Sequence, residues 1–296
     1  MTTRIQWKSG SLQKKLKDQT AHGLSTGDLQ PIKTEVEQVP DGDINFVVYI
    51  LESLAEKQAQ GQANTENPFL PYEPDLYVTD ITDTHLCLLN KFNVVENHFL
   101  IVTREFESQE NWLTSADFEA LTKCLSEVDG LAFYNGGEMA GSSQPHKHIQ
   151  VVPRTGELSE LPIEIALTKA KVSGGNRWSP LLPYKHAIAK FPPQKAGLSG
   201  DVLTKLYMSR YLMLLKAVGI DASNQDAPQT APYNLLCTRQ WMMLIPRSAE
   251  NHEGIPVNSL GFAGSLLVKD RAELTQLQEM GPLNLLRQVS FEREEE

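Results

Sequence analysis

His146, His148 and Gln150 occupy alternate positions in the run Gly141-Ser142-Ser143-Gln144-Pro145-His146-Lys147-His148-Ile149-Gln150. Alternate side chains of an extended strand share one face, so two imidazoles and an amide would converge on one side. Pro145 and Pro153 bound the segment. Just upstream, Gly136-Gly137-Glu138-Met139-Ala140-Gly141-Ser142-Ser143 can bend tightly and bring bare backbone N–H groups against an anion. Ser142, Ser143 and Gln144 add neutral donors. This combination suits attack on phosphorus. A neutral imidazole is a good nucleophile near pH 7, provided a hydrogen bond to its other nitrogen fixes the tautomer. Charge developing on the phosphoryl oxygens needs preorganised donors. Gln150 can donate to such an oxygen without adding negative charge. The residues alone leave open which histidine attacks.

Two simpler readings compete. A histidine pair at i, i+2 can begin a metal site, but no third or fourth ligand stands nearby and glutamine is a poor zinc ligand. No metal is therefore expected. A second reading has the two histidines merely fill a sheet face, but the glycine-serine loop directly before them argues otherwise.

Composition narrows the setting. The chain has 296 residues, ample for a sizeable core, with 41% hydrophobic and 22% charged residues. A formal net charge of −10 and no long basic run speak against nucleic acid as a partner. An anionic small molecule would be met by a few local cations against an acidic background. Cys87, Cys124 and Cys237 are far apart in apolar stretches, which predicts buried, reduced thiols rather than a disulfide framework. No signal-peptide core and no membrane-length apolar run are evident, so a soluble cytoplasmic protein is expected.

The elements that must position the histidines follow from patterning. A short helix is expected over Ser11–Asp18, a turn at Val39–Gly42, and helical spacing over Asn45–Glu56. Pro68, Pro71 and Pro74 exclude regular structure before Leu76. His85–Leu89 and His98–Thr103 read as antiparallel strands. Thr114 is a good N-cap, with Asp117 three residues on and an apolar face of Phe118, Leu121, Leu125 and Val128. Leu131–Tyr134 and His146–Val152 are strands flanking a glycine-rich loop. The Pro/Gly-rich stretch 173–200 predicts a surface excursion between two lobes. A long helix over Val202–Val218, strands over Tyr233–Thr238, Trp241–Ile245 and Ala263–Lys269, and a last helix over Arg271–Gln278 complete the chain. The fold class is α+β, a mainly antiparallel sheet flanked by helices. No G-x-G-x-x-G or P-loop pattern supports a doubly wound parallel sheet.

The string N-G-G-x-x-x-G-x-S-Q-P-H-x-H-x-Q, from Asn135 to Gln150, resembles the signature of the diadenosine tetraphosphate phosphorylases (ATP adenylyltransferases) of the histidine-triad superfamily. Leu88–Phe92, Glu96–Arg104, Leu244–Ser248 and Asn258–Lys269 resemble further parts of that family. Residues 1–40 and the Pro/Gly stretch carry no match. The resemblance implies that His148 becomes adenylylated, with His146 in support. It implies that Gln150 and Ser143 contact the attacked phosphate, and that Gly141, Ser142 and Gln144 line the same loop. Asn135 would contact the nucleotide; Lys57, Asn90 and Lys91 would reach the substrate from the N-terminal part. Asn258, Ser259, Leu260, Ser265 and Lys269 would do so from the C-terminal part, with Ser265 standing where the family pattern has methionine.

The implied organisation is an extension over 1–40, a histidine-triad-like nucleotidyltransferase core over 41–185, and a C-terminal adenylyltransferase region over 186–296. The implied reaction is phosphorolysis of diadenosine tetraphosphate to ADP and ATP through an adenylyl-histidine. Lys91 and Lys269 would offset polyphosphate charge. No covalently bound cofactor is called for; magnesium could accompany the polyphosphate, for which the chain offers no carboxylate cage. A hydrolase using water, or a nucleotide-sensing module needing no nucleophile, are the alternatives.

Overall fold

A computed structural model describes residues 6–52, 67–173, 176–192 and 198–293. Near the N-terminus, α1 (Leu12–Thr26) runs eight residues beyond the predicted Asp18, because Leu12, Leu16, Thr20 and Gly23 keep one buried face until Gly27 caps it at φ 84°. Strands β1 (Thr34–Asp41) and β2 (Ile44–Leu51) then form a hairpin. The expected helix over Asn45–Glu56 is not there. Ile44–Leu51 is rich in β-branched and aromatic residues and almost wholly buried, as befits a strand paired on both sides, and the scattered apolar positions only mimicked helical spacing.

Ten further strands build one antiparallel sheet. They are β3 (Tyr77–Asp80), β4 (His85–Leu89), β5 (Phe99–Thr103), β6 (Gly130–Gly136), β7 (His148–Pro153), β8 (Lys171–Ser173), β9 (Asn176–Trp178), β10 (Ala187–Lys190), β11 (Tyr233–Cys237) and β12 (Trp241–Pro246). Their order is β3-β4-β5-β7-β6-β11-β12-β10-β9-β8. The stretch read as a surface excursion instead extends this sheet through β8, β9 and β10, and its Leu182 and Tyr184 are fully buried. Strands from both sides of residue 185 thus share one ladder, joined where β6 pairs β11. Beyond a small hairpin of β13 (Asn251–His252) and β14 (Ile255–Pro256), β15 (Ser265–Val268) adds to β2 in parallel.

Strand parity sorts the core into layers. One sheet face, including Phe99, Ile101, Tyr134, Ile149 and Val151, packs under α1, α2 (Ser115–Glu127) and α4 (Gly200–Ala217). The opposite face is covered in two parts. Leu131, Phe133, Val152, Met243 and Ile245 lie under the β1-β2-β15 sheet together with α3 (Glu164–Thr168), α5 (Ser259–Phe262), α6 (Arg271–Met280) and α7 (Pro282–Gln288). Leu86, Leu88, Leu100 and Val102 form a separate cluster with Phe69 and Tyr77. His148 pairs Val102, and Gln150 pairs both Leu100 and Phe133, so the two polar side chains sit where the two covers meet. Gly281-Pro282 does not end the helical region but starts α7, with Pro282 in its first turn. Among the described residues no helix is long and apolar enough to cross a membrane, and all three cysteines are buried thiols outside any disulfide.

The capping residues of α2 reach further than a helix end. Thr114 and Asp117 form the expected capping box, and Asp117 also accepts from Lys147 Nζ (2.8 Å) and His85 Nε2 (3.1 Å). Lys147 is 1% exposed and completes its donors on Glu107 Oε2 and the Trp112 carbonyl. A buried ammonium tolerates no loss of these partners. Burial pushes the Asp117 carboxyl up, but the hydrogen bond from His85 and the charge of Lys147 overcome it and hold the group at about 2. Since that lies below the ordinary value of 3.8, the stability it contributes is present above about pH 4 and is lost as pH falls towards 2. Asp117→Asn should lower unfolding free energy at pH 7 by about 3–5 kcal/mol in urea titrations, by leaving Lys147 buried without a full counter-charge. A loss below about 1 kcal/mol would show that this network is dispensable.

Candidate active site

Strands β6 and β7 run paired from Gly130↔Pro153 to Phe133↔Gln150, and then part. Parting strands leave backbone groups that must find other partners when buried. Here Gln109, 2% exposed, supplies them from its side chain. Its Oε1 accepts from the His148 N–H (2.8 Å), and its Nε2 donates to the Asn135 carbonyl (2.9 Å) and the His148 carbonyl (3.2 Å). On the other side of the gap, Lys147 N–H donates to the Glu107 carbonyl and Gln109 N–H to the Pro145 carbonyl. The segment before β7 is therefore extended and anchored, although the strand proper begins at His148 rather than His146.

The two histidines are held differently. His146 is occupied at both nitrogens: Nε2 lies 2.9 Å from both the Thr103 carbonyl and Thr103 Oγ1, and Nδ1 is 2.9 Å from Asn67 Nδ2. Its pKa is lowered, chiefly by burial, with the Thr103 carbonyl opposing. His148 donates Nδ1–H to the His146 carbonyl at 2.8 Å, which leaves the lone pair on Nε2. Among the described residues that nitrogen has no hydrogen-bond partner. Burial pushes the His148 pKa down to about 4, against the hydrogen bond to His146, so the ring is neutral at pH 7. Phe69 packs on both rings, with centroids 5.5 Å from His146 and 5.4 Å from His148.

The glycine-rich loop turns back on the C-terminal half. Gly141 has φ 84°, and a Cβ there would lie 2.7 Å from the Val257 carbonyl and 2.9 Å from Asn258 Cα. Ser142 Oγ donates to the Gln144 carbonyl, while Ser143 is exposed and Gln144 half-buried. Asn135 is 2% exposed; its Oδ1 accepts from Ser259 N–H, Ser259 Oγ–H and Asn234 Nδ2. Ser259 is fully buried, so this pair locks the turn capped by Asn258, whose side chain accepts from the Leu260 N–H. Behind it, Arg247 is 1% exposed and donates to the carbonyls of Ala140, Val257, Ala249, Glu250 and Val289 and to Asn234 Oδ1. Burial lowers the Arg247 pKa to about 9, with Glu250 opposing, so it stays charged at neutral pH. One guanidinium thus fastens the loop before Gly141 to the segment before Asn258.

Both described lysines expected to meet the substrate are engaged by carboxylates. Lys91 is engaged by both oxygens of Glu73 at 2.8 Å, and Lys269 pairs with Glu273 at 3.5 Å while 55% exposed. Asn90 donates to the His98 ring, and Ser265 is buried in β15 opposite Val47. Lys57 lies outside the described residues. Among the described residues, no three His, Cys, Asp or Glu side chains come together as a metal site would need. Gln109, Asn67, Asn234 and His98 were not singled out from sequence. Each is an isolated polar residue whose role depends on partners remote in the chain, and only the burial of Gln109 in a polar run would have marked it.

Two family models cover nearly the whole chain. The Ap4A phosphorylase N-terminal domain matches residues 2–169 and the ATP adenylyltransferase C-terminal domain residues 180–292. The first takes in residues 2–40, where sequence reading found no match. Diadenosine 5',5'''-P1,P4-tetraphosphate phosphorylase 2 of Saccharomyces cerevisiae is 28% identical, over 91% of this chain and 90% of its own. The crystal structure of yeast Ap4A phosphorylase Apa2 superposes with a TM-score of 0.79 at 26% identity, covering 100% of both chains. Its complex with Ap4A gives 0.76 at 25% identity, again over 100% of both.

The burial of His148 has a direct readout. In nitrogen-15 spectra of imidazole-labelled protein, His148 should remain the neutral Nδ1–H tautomer from pH 8 to about 5 and titrate near 4. A midpoint near 6.5 would contradict the enclosure described above.

Proposed function

The chain belongs to the Ap4A phosphorylase family, and from that membership we propose that it phosphorolyses diadenosine tetraphosphate by adenylyl transfer through His148. The observation that carries the reading is the asymmetry of the two imidazoles, with His146 tied at both nitrogens and His148 presenting Nε2 alone. His148 Nε2 attacks the α-phosphorus of one adenosine, the α–β phosphoanhydride bond breaks, and ATP departs. Inorganic phosphate then attacks the adenylyl-histidine, the P–N bond breaks, and ADP leaves. The His146 carbonyl, accepting from Nδ1–H, stabilises the positive charge that the ring acquires in the first step.

Gln150, Ser143, Ser142 and Gln144 are proposed as neutral donors to the attacked phosphate, on a loop that Gly141 brings against Val257 and Asn258. The buried Asn135–Ser259 lock would serve the nucleotide site by shaping it rather than by donating to the ligand. Lys91 and Lys269 would meet the polyphosphate in exchange for Glu73 and Glu273, with Lys57, Asn90, Leu260 and Ser265 completing the substrate contacts. Magnesium would arrive with the polyphosphate. Buried thiols outside any disulfide fit a reducing compartment, and a cytoplasmic setting is proposed.

Incubation with diadenosine tetraphosphate should yield ADP and ATP only when phosphate is present, and His148→Ala should abolish turnover while leaving the thermal midpoint within a few degrees. AMP and ATP formed with water would instead make it a hydrolase, and tight binding without turnover a sensor. Gly141→Ala should weaken kcat/KM at least about tenfold, a loss of about 1.4 kcal/mol in transition-state binding, since the loop must retreat from Val257. Unaltered kinetics in that variant would mean that the close approach does not shape the cradle.

A further inference from the structure

His98 lies just before β5, where the ladder to β4 continues through Asn90 N–H to the His98 carbonyl (3.0 Å). It is 6% exposed. Two residues along the same face, Leu100 pairs with Gln150, and the His98 ring stands 6.0 Å from Phe133, the other partner of Gln150. His98 and Gln150 therefore share a small patch of sheet face beside His148. Asn90 Nδ2 is 3.2 Å from His98 Nδ1. An amide N–H can only donate, so Nδ1 is the acceptor and the proton resides on Nε2. Among the described residues that buried Nε2 has no hydrogen bond of ordinary geometry. An unmet buried donor costs on the order of 1–3 kcal/mol and is seldom kept without a use. Burial lowers the ring's pKa to about 4, with the Gln150 amide opposing, which keeps it a neutral single donor at this end.

A glutamine amide has two unlike ends, and an anionic phosphate accepts only from the NH2 end. Nothing in Gln150 itself selects which end faces the open side. We infer that His98 is a positioning residue, whose Nε2–H engages Gln150 Oε1 and so turns the Gln150 NH2 towards the phosphate, with Asn90 fixing the tautomer from behind. The inference rests on the proposed contact between Gln150 and the attacked phosphate. Beside its proposed substrate contact, it gives Asn90 a second task, two side chains away from the phosphate.

The test is a double-mutant cycle on phosphorolysis of diadenosine tetraphosphate, with kcat and KM determined separately. His98→Leu and Gln150→Ala should each reduce kcat about 10- to 100-fold with little change in KM, because the donor matters most as charge develops on phosphorus. The double variant should be no slower than Gln150→Ala alone. His98→Gln, which keeps an N–H donor at similar reach, should stay within a few-fold of the parent. Losses that multiply in the double variant, or full activity in His98→Leu, would overturn the inference. Should His98→Leu fail to fold, His98→Asn replaces it in the cycle, with the same multiplying losses counting against. Full activity in Gln150→Ala would remove the phosphate contact itself, and with it this inference, while His148→Ala still reports on adenylyl transfer.

Discussion

Everything at the candidate site depends on the side-chain amide of Gln109 standing in for a missing stretch of β-ladder. A sheet that stays paired to its end has no room for a ligand, and one that splays without compensation buries unsatisfied backbone groups. Gln109 resolves this by bonding His148 at both its N–H and its carbonyl while also holding the Asn135 carbonyl. The gap between β6 and β7 becomes a rigid feature. Lys147 adds a second constraint from behind. Its ammonium must face Asp117 on the helix-covered side, so alternation forces His146 and His148 to the other. A buried ion pair thereby fixes the direction of the imidazoles without touching them.

The charged side chains named at the candidate site are already held by the protein. Lys91 pairs with Glu73, Lys269 with Glu273, and Lys147 with Asp117 and Glu107. In a chain of net charge −10, an anion that recruited Lys91 would have to compete with Glu73 for it. Arg247 is likewise turned inward, onto carbonyl oxygens and Asn234 Oδ1, and spends its charge on architecture.

The parts legible in the sequence are those written in local chemistry. The capping box at Thr114 and Asp117, the strand pair at His85 and His98, and the strands Tyr233–Thr238 and Trp241–Ile245 emerged where expected. So did the face shared by His148 and Gln150, because alternation needs only neighbours. What failed needed distant partners. Ile44–Leu51 is a strand because β1 and β15 flank it, and nothing within the run announces either. The Pro/Gly stretch looks like a loop, yet β10 finds β12 some fifty residues on. Which histidine is free could not be read from His146-Lys147-His148, since the answer lies with Thr103 and Asn67. Nor do its neighbours in the chain show that Asn135 commits its side-chain oxygen to Ser259.

The parallel pairing of β15 with β2 carries a consequence for how the molecule comes into being. Ser265–Val268 leaves the ribosome more than two hundred residues after its partner Val47–Ile50. Until then β2 presents an open, hydrophobic edge, the kind of surface that invites pairing with a neighbouring chain. The charged residues of β1, Glu35, Glu37 and Asp41, guard one side of the hairpin but not the side that awaits β15. Closure of the second layer thus waits on that separation, and in the interval the nascent chain carries an edge that a chaperone would have to shield.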